Sequence, residues 1–285
     1  AFSMGSTSDK TTIHSLMNTG DDLWLSLGIR GATARQELIT FLCFKNFFPK
    51  INNVVILSGL NDLVVCSQAD SMFYYNLGGI LGGVHERMHS GFLQASSFSK
   101  LKSVIGRANL FHSLSYLINK FKIFKIFSRN ILSKLKKSKI QLKTDKLVSS
   151  LNYEKKIANT KIMLKSDFEI WSALSKQFNF KLTYIFQPGI TWTKKKLTPQ
   201  EENIKLYQEN NIREIFEEDF SNPKIYVEHK NFLQKTCEIN SIKFYDANDF
   251  IVKADLEKDF FIDFAHLTNY GNNYIAESIK NIVKN

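Results

Sequence analysis

Cysteine, proline and long apolar runs are scarce in this sequence, and each scarcity excludes something. Three cysteines, Cys43, Cys66 and Cys237, cannot all pair within one chain, and none stands in a Cys-x-x-Cys spacing. No disulfide framework or cysteine-built metal site is implied, and buried thiols are expected. The longest apolar stretches, 54–57 and 63–66, fall far short of the ~18–20 residues a membrane span needs, and nothing at the N-terminus reads as a signal peptide. Four prolines and thirteen glycines in 285 residues exclude a collagen-like or low-complexity chain. With 44% hydrophobic and 23% charged residues, wholesale disorder is excluded too. The length suits one large domain or two ordinary ones.

Acids are nearly missing from one segment. Residues 100–146 hold thirteen Lys or Arg against one acid, Asp145, which leaves 25 basic and 26 acidic residues elsewhere, a body of net charge −1 under a total of +11. The basicity is therefore local. Within it, Phe111, Leu114, Leu117, Ile118, Phe121, Phe124 and Ile131 share one broad face at helical spacing. Two readings stay open: a helical lid packed on the core with a solvated lysine face, or an interfacial helix drawn to an anionic membrane or polysaccharide. No nucleic-acid-binding fold accompanies the charge, so a nucleic-acid partner is not expected.

Short β-branched or apolar runs at 1–4, 23–28, 54–58, 181–187 and 242–245 predict buried strands, and helical spacing predicts helices at 34–47, Tyr153–Phe178, 199–220, Pro223–Ile239 and 267–283. Strands alternating with helices imply a parallel sheet covered on both faces, with functional residues beyond the carboxyl ends of the strands. The first expected strand begins at residue 1 without an initiator Met, and too few residues separate it from the second for a full crossover helix. Both points predict that native residues are missing there.

Two constellations could carry chemistry. His85-Glu86-Arg87-Met88-His89 matches the zinc motif HExxH, which on a helix sets two histidines on one face. Gly82-Gly83 before it and Ser90-Gly91 after it leave barely two helical turns, and no Glu stands between Glu86 and Glu154 to supply a nearby third ligand. A solvated turn or a substrate-side loop is the preferred reading. The glycine-rich stretch 78–83 lacks both the preceding strand and the Lys-Ser/Thr of a nucleotide loop, and reads as an irregular loop.

The second constellation is dispersed over the ends of expected strands: Met4-Gly5-Ser6-Thr7, Arg30-Gly31-Ala32-Thr33, Gly59-Leu60-Asn61-Asp62 and Asp263-Phe264-Ala265-His266. Acyl transfer needs these residue types. A serine is a poor nucleophile until a base takes its proton, a histidine can be that base, and an acid three residues earlier can hold the imidazole in the right tautomer. A glycine amide and an asparagine side chain are suited donors for an oxyanion.

These four blocks resemble those of the SGNH (GDSL) hydrolases, which carry Ser, Gly, Asn and Asp-x-x-His in this order. The tail FFIDFAHLTNYGNNYIAESI is similar to the family's last block, SLGIRGATARQELITF to its second and VVILSGLND to its third. The first block lacks the leading glycine of the Gly-Gly-Ser-Thr variant and the acid of Gly-Asp-Ser. The resemblance implies a single domain over 1–285, a three-layer α/β/α sandwich on a five-stranded parallel, flavodoxin-like sheet, with 92–152 as a basic helical insertion or lid. It implies Ser6 as nucleophile, His266 as base and Asp263 as orienting acid. The backbone N–H groups of Ser6 and Gly31 and the side chain of Asn61 would form the oxyanion hole, with no metal or organic cofactor. Gln187-Pro188 and the Gly-Gly loop are similar to bacterial members that act on surface polysaccharide, so a carbohydrate O-acetyl esterase of the bacterial cytoplasm or cell envelope is expected. A polysaccharide O-acetyltransferase, a lipase or lysophospholipase, and a non-catalytic binding module on the same fold stay open as alternatives. The sequence carries no mark of an oligomeric state.

Overall fold

The computed structural model describes residues 9–18, 22–28, 31–48, 50–68, 153–215 and 222–284, all within one compact unit. The expected strand 1–4, Ser6, the glycine-rich stretch 78–83, the HExxH match, the insertion 92–152 and the basic segment 100–146 lie outside the described residues.

In chain order the described elements are α1 (Ile13–Met17), α2 (Ala34–Phe44), β1 (Asn53–Ser58), α3 (Leu60–Gln68), α4 (Tyr153–Phe178), β2 (Lys181–Phe186), α5 (Pro199–Ile215), α6 (Pro223–Ile239), β3 (Lys243–Asp246), α7 (Ala247–Phe250) and α8 (Asn269–Lys284). Local chemistry sets the helix ends. Thr33 and Gln36 form a capping box at the start of α2, Thr198 and Glu201 bond each other's backbone N–H at the start of α5, and Asn222 accepts from the Lys224 N–H ahead of α6. Asn179 and Ser241, both at positive φ, turn the chain out of α4 and α6 and into the strands that follow.

The sheet is parallel throughout, in the order β1-β2-β3. Its register runs from Asn53 opposite Lys181 to Ser58 opposite Phe186, and from Thr183 opposite Lys243 to Phe186 opposite Asp246. Alternation along the strands divides the core in two. Ile56, Leu182, Tyr184 and Phe186 face one cluster, which α2, α3, α4 and α6 cover with Phe41, Leu63, Phe168, Trp171 and Leu233. Val55, Leu57, Ile185 and Tyr245 face the other, closed by Met17, Ile251, Phe260, Phe261, Ile275 and Ile279. The first cluster is rich in ring contacts, Phe41 on Trp171 at 4.9 Å and Phe168 on Tyr184 at 4.9 Å among them. Truncating one such aromatic typically costs about 3–5 kcal/mol.

One expectation fails. Residues 23–28 form no strand, and Leu23 and Leu25 stand exposed. The side-chain amide of Asn18 accepts from the Trp24 N–H and donates to the Trp24 carbonyl, so the N–H and carbonyl of Trp24 are satisfied locally instead of in a ladder. Three strands are present among the described residues. None of the described helices is long and apolar enough to cross a membrane.

Candidate active site

The site is assembled at the carboxyl edge of the sheet. β1 ends at Ser58, whose carbonyl accepts from the Gln187 N–H at 3.0 Å, so the turns after β1 and β2 leave the sheet side by side. The turn after β1 depends on Gly59. Its φ is +112°, and a Cβ there would lie 2.7 Å from the Phe186 ring, so no other residue fits.

From the turn, Asn61 and Asp62 reach across to the segment holding Gly31. The Asn61 amide donates to the Ala32 carbonyl at 3.0 Å, and Asp62 accepts from the Ala34 N–H at 3.0 Å. Gly31 has φ +69° with open space where a Cβ would be, so conformation and not crowding selects glycine there. The structure thus brings the second and third sequence blocks together.

His229, on α6, supports the same turn from below. It is buried, and its Nε2 lies 3.1 Å from the Gly59 carbonyl. A carbonyl only accepts, so Nε2 carries the proton. Burial is the main force on this ring, exceeding the opposing pull of the Gly59 carbonyl, and its pKa falls to about 4. It is therefore neutral at pH 7.

The last block forms a closed loop. Phe261 bridges Leu267, and the Ile262 N–H donates to the His266 carbonyl at 2.9 Å. Inside it Asp263 holds three donors: Oδ1 accepts from the N–H groups of Ala265 at 2.9 Å and His266 at 2.8 Å, while Oδ2 accepts from the His266 ring at Nδ1, 2.6 Å away. Burial alone would raise the Asp263 pKa, but the His266 bond and charge and the two backbone N–H groups outweigh it, leaving the carboxyl below its ordinary range. The acid is ionised, Nδ1 keeps its proton, and Nε2 is the nitrogen able to accept one. The His266 side chain is 30% exposed. The loop is tied to the segment after β2 by the Ile190 N–H, which donates to the Phe264 carbonyl at 2.9 Å. Phe264 and Ala265 pack on the same apolar cluster as Leu27, Ala34 and Leu60.

Ser6 lies outside the described residues. Among the described residues no group of three or more His, Cys, Asp or Glu could hold a metal ion. Of the three cysteines, Cys237 is buried as expected and Cys43 is exposed. Cys43 is on the outer side of α2 between exposed Leu42 and Phe44, away from the apolar stripe that buries Leu38 and Phe41.

Sequence reasoning missed His229, Lys195 and Glu201. His229 sits among apolar residues on a helix whose pattern marks only a core face, and its partner is 170 positions away. Glu201 did carry a signal, the Thr-x-x-Glu of a capping box. No known family's sequence model matches the chain, and no curated protein does.

Proposed function

We propose that this chain is a serine esterase of the SGNH type that removes O-acetyl groups from a carbohydrate or surface polysaccharide. The observation that carries the reading is the Asp263–His266 pair: an ionised, multiply bonded carboxylate 2.6 Å from Nδ1 of a partly exposed imidazole, at the edge of the sheet where Asn61 and Gly31 also stand. In the proposed reaction Nε2 of His266 takes the proton of Ser6 as its oxygen attacks the acetyl carbonyl. Asp263 stabilises the imidazolium that forms. The N–H groups of Ser6 and Gly31 and the side chain of Asn61 hold the oxyanion. The Asn61 amide nitrogen carries two hydrogens, and donation of one to Ala32 leaves the other for that task. The sugar hydroxyl departs with the proton from His266, and water then releases acetate by the same base. The reaction uses no metal or organic cofactor.

The same reading expects a five-stranded sheet, of which three strands stand among the described residues and residues 1–4 would supply another. The test is turnover of p-nitrophenyl acetate and of an O-acetylated polysaccharide by the full chain. Activity should vanish in Ser6→Ala, and a serine-directed phosphonate should label Ser6. An active Ser6→Ala, or labelling elsewhere, would overturn the assignment.

A further inference from the structure

The loop that holds Asp263 and His266 is fastened at its base by a fully buried ion pair. Lys195 and Glu201 have no exposed side-chain surface, and Nζ lies 2.7 Å from Oε2. That same oxygen accepts from the Thr198 N–H at 2.9 Å, while Oε1 accepts from the N–H groups of Phe260 at 2.7 Å and Phe261 at 3.2 Å. The Thr198 hydroxyl donates to Asp259. Residues 259–261 are thus held by Thr198 and Glu201, and they form one side of the closed loop. On its other side Thr268 bonds the carbonyls of Asp259 and Phe260. A capping box alone needs only one carboxylate oxygen; here the second is turned to a segment about sixty positions away.

Taking both charges out of water is costly, and well-packed apolar residues often serve stability as well or better. A buried pair whose acid is aimed at the backbone of the dyad loop is better explained by position than by stability. We propose that the Lys195–Glu201 pair positions the candidate catalytic dyad: Glu201 fixes Phe260 and Phe261, and through them the placement of Asp263 and His266 relative to the sheet edge. Neither residue touches substrate. The inference rests on the esterase reading for its kinetic consequences, though not for its structural ones.

The test compares two double variants of the full chain, each removing the buried cation that would otherwise be left alone. Lys195→Met with Glu201→Ala removes the acceptors for Phe260 and Phe261; Lys195→Met with Glu201→Gln keeps an oxygen for them. A misplacement of about 1 Å can cost ~10²-fold in rate. The alanine form should therefore lose about 10–100-fold in kcat on p-nitrophenyl acetate with KM nearly unchanged, and the glutamine form should recover most of it. The Nδ1 proton of His266, followed by NMR, should broaden or shift in the first and return in the second. A folded alanine form with unchanged kcat and an unchanged His266 signal overturns the proposal. If the native chain does not hydrolyse the ester, the esterase reading fails, and the His266 signal still decides the positioning role. If the alanine form does not fold, Thr198→Val, which removes the tie to Asp259 together with the hydroxyl that accepts from the Glu201 N–H, takes its place: it should shift the signal, and silence there counts against the proposal.

Discussion

Asp263 satisfies the loop backbone with one oxygen and the imidazole with the other, and this division of labour can be separated by substitution. In Asp263→Asn the retained oxygen can still accept from Ala265 and His266, so the turn should survive. The new amide, however, is a donor facing Nδ1. The ring then turns its acceptor nitrogen toward residue 263 and protonates Nε2, which removes the proposed base. Loss of tautomer control in a Ser-His-Asp unit costs ~10⁴ in kcat. Asp263→Asn should therefore show a fall of that order with the unfolding midpoint shifted by only a few degrees, measured by ester turnover and circular dichroism on one preparation. Equal activity in the two proteins would separate Asp263 from the chemistry.

Two glycines at the sheet edge show why two turns tolerate change differently. Gly59→Ala meets both a disfavoured φ of +112° and the Phe186 ring at 2.7 Å, whereas Gly31→Ala meets only its φ of +69°. Backbone strain of about 1–2 kcal/mol is expected for Gly31→Ala. A further 1–3 kcal/mol or so of overpacking is expected for Gly59→Ala. Urea unfolding of the two variants should rank them in that order, and equal midpoints would remove the steric argument. The same local chemistry explains what could be read in advance. α4 and α6 were legible because their apolar positions recur at helical spacing and Pro223 opens α6, and β1, β2 and β3 because each is a short β-branched or apolar run between helical patterns. Residues 23–28 read as a strand because apolar residues alternate there, but alternation does not show that Asn18 has already occupied the peptide groups of Trp24. Asp263 and His266 were legible since their partners are three residues apart. Gly31 and Asn61 were legible as residue types, although the hydrogen bonds joining their segments were not. His229 and Glu201 act on backbone 170 and about sixty positions distant, and no local pattern carries such a pairing.

Stability against pH combines groups from both faces of the sheet. His229 is held at about 4 against an ordinary 6.5, chiefly by burial. Between those values the unfolded chain takes up a proton that the native ring refuses, so acidification through this window favours unfolding. Asp263 and Glu201 sit below their ordinary carboxylate values, with hydrogen-bonded partners outweighing the effect of burial. Their contribution is present above the unfolded values and is lost as pH falls through the folded ones. Glu37 works in the opposite sense. Burial first, then the charge of Asp62, lifts its carboxyl from 4.5 to about 8, among Phe168, Trp171 and Tyr184. Over that interval the native acid keeps a proton that the unfolded chain has released, so rising pH favours unfolding until about pH 8 and has no further effect above it. From pH 4.5 to 6.5 the opposing contributions of His229 and Glu37 largely offset; below that the acid-side groups dominate, and above 6.5 Glu37 acts alone among these four. The melting temperature should therefore run level between about pH 4.5 and 6.5, decline toward pH 8 and keep falling above it as the Cys237 thiol ionises in the unfolded chain but not in the buried site. Glu37→Gln places an uncharged group of the same shape there and should abolish the decline between pH 6.5 and 8 while leaving the acid limb in place. Calorimetric melting of both proteins from pH 4 to 9 checks this. A native profile that is level from 6.5 to 8, or a Glu37→Gln profile with the same decline, would show that the buried carboxyl does not retain its proton in the folded state.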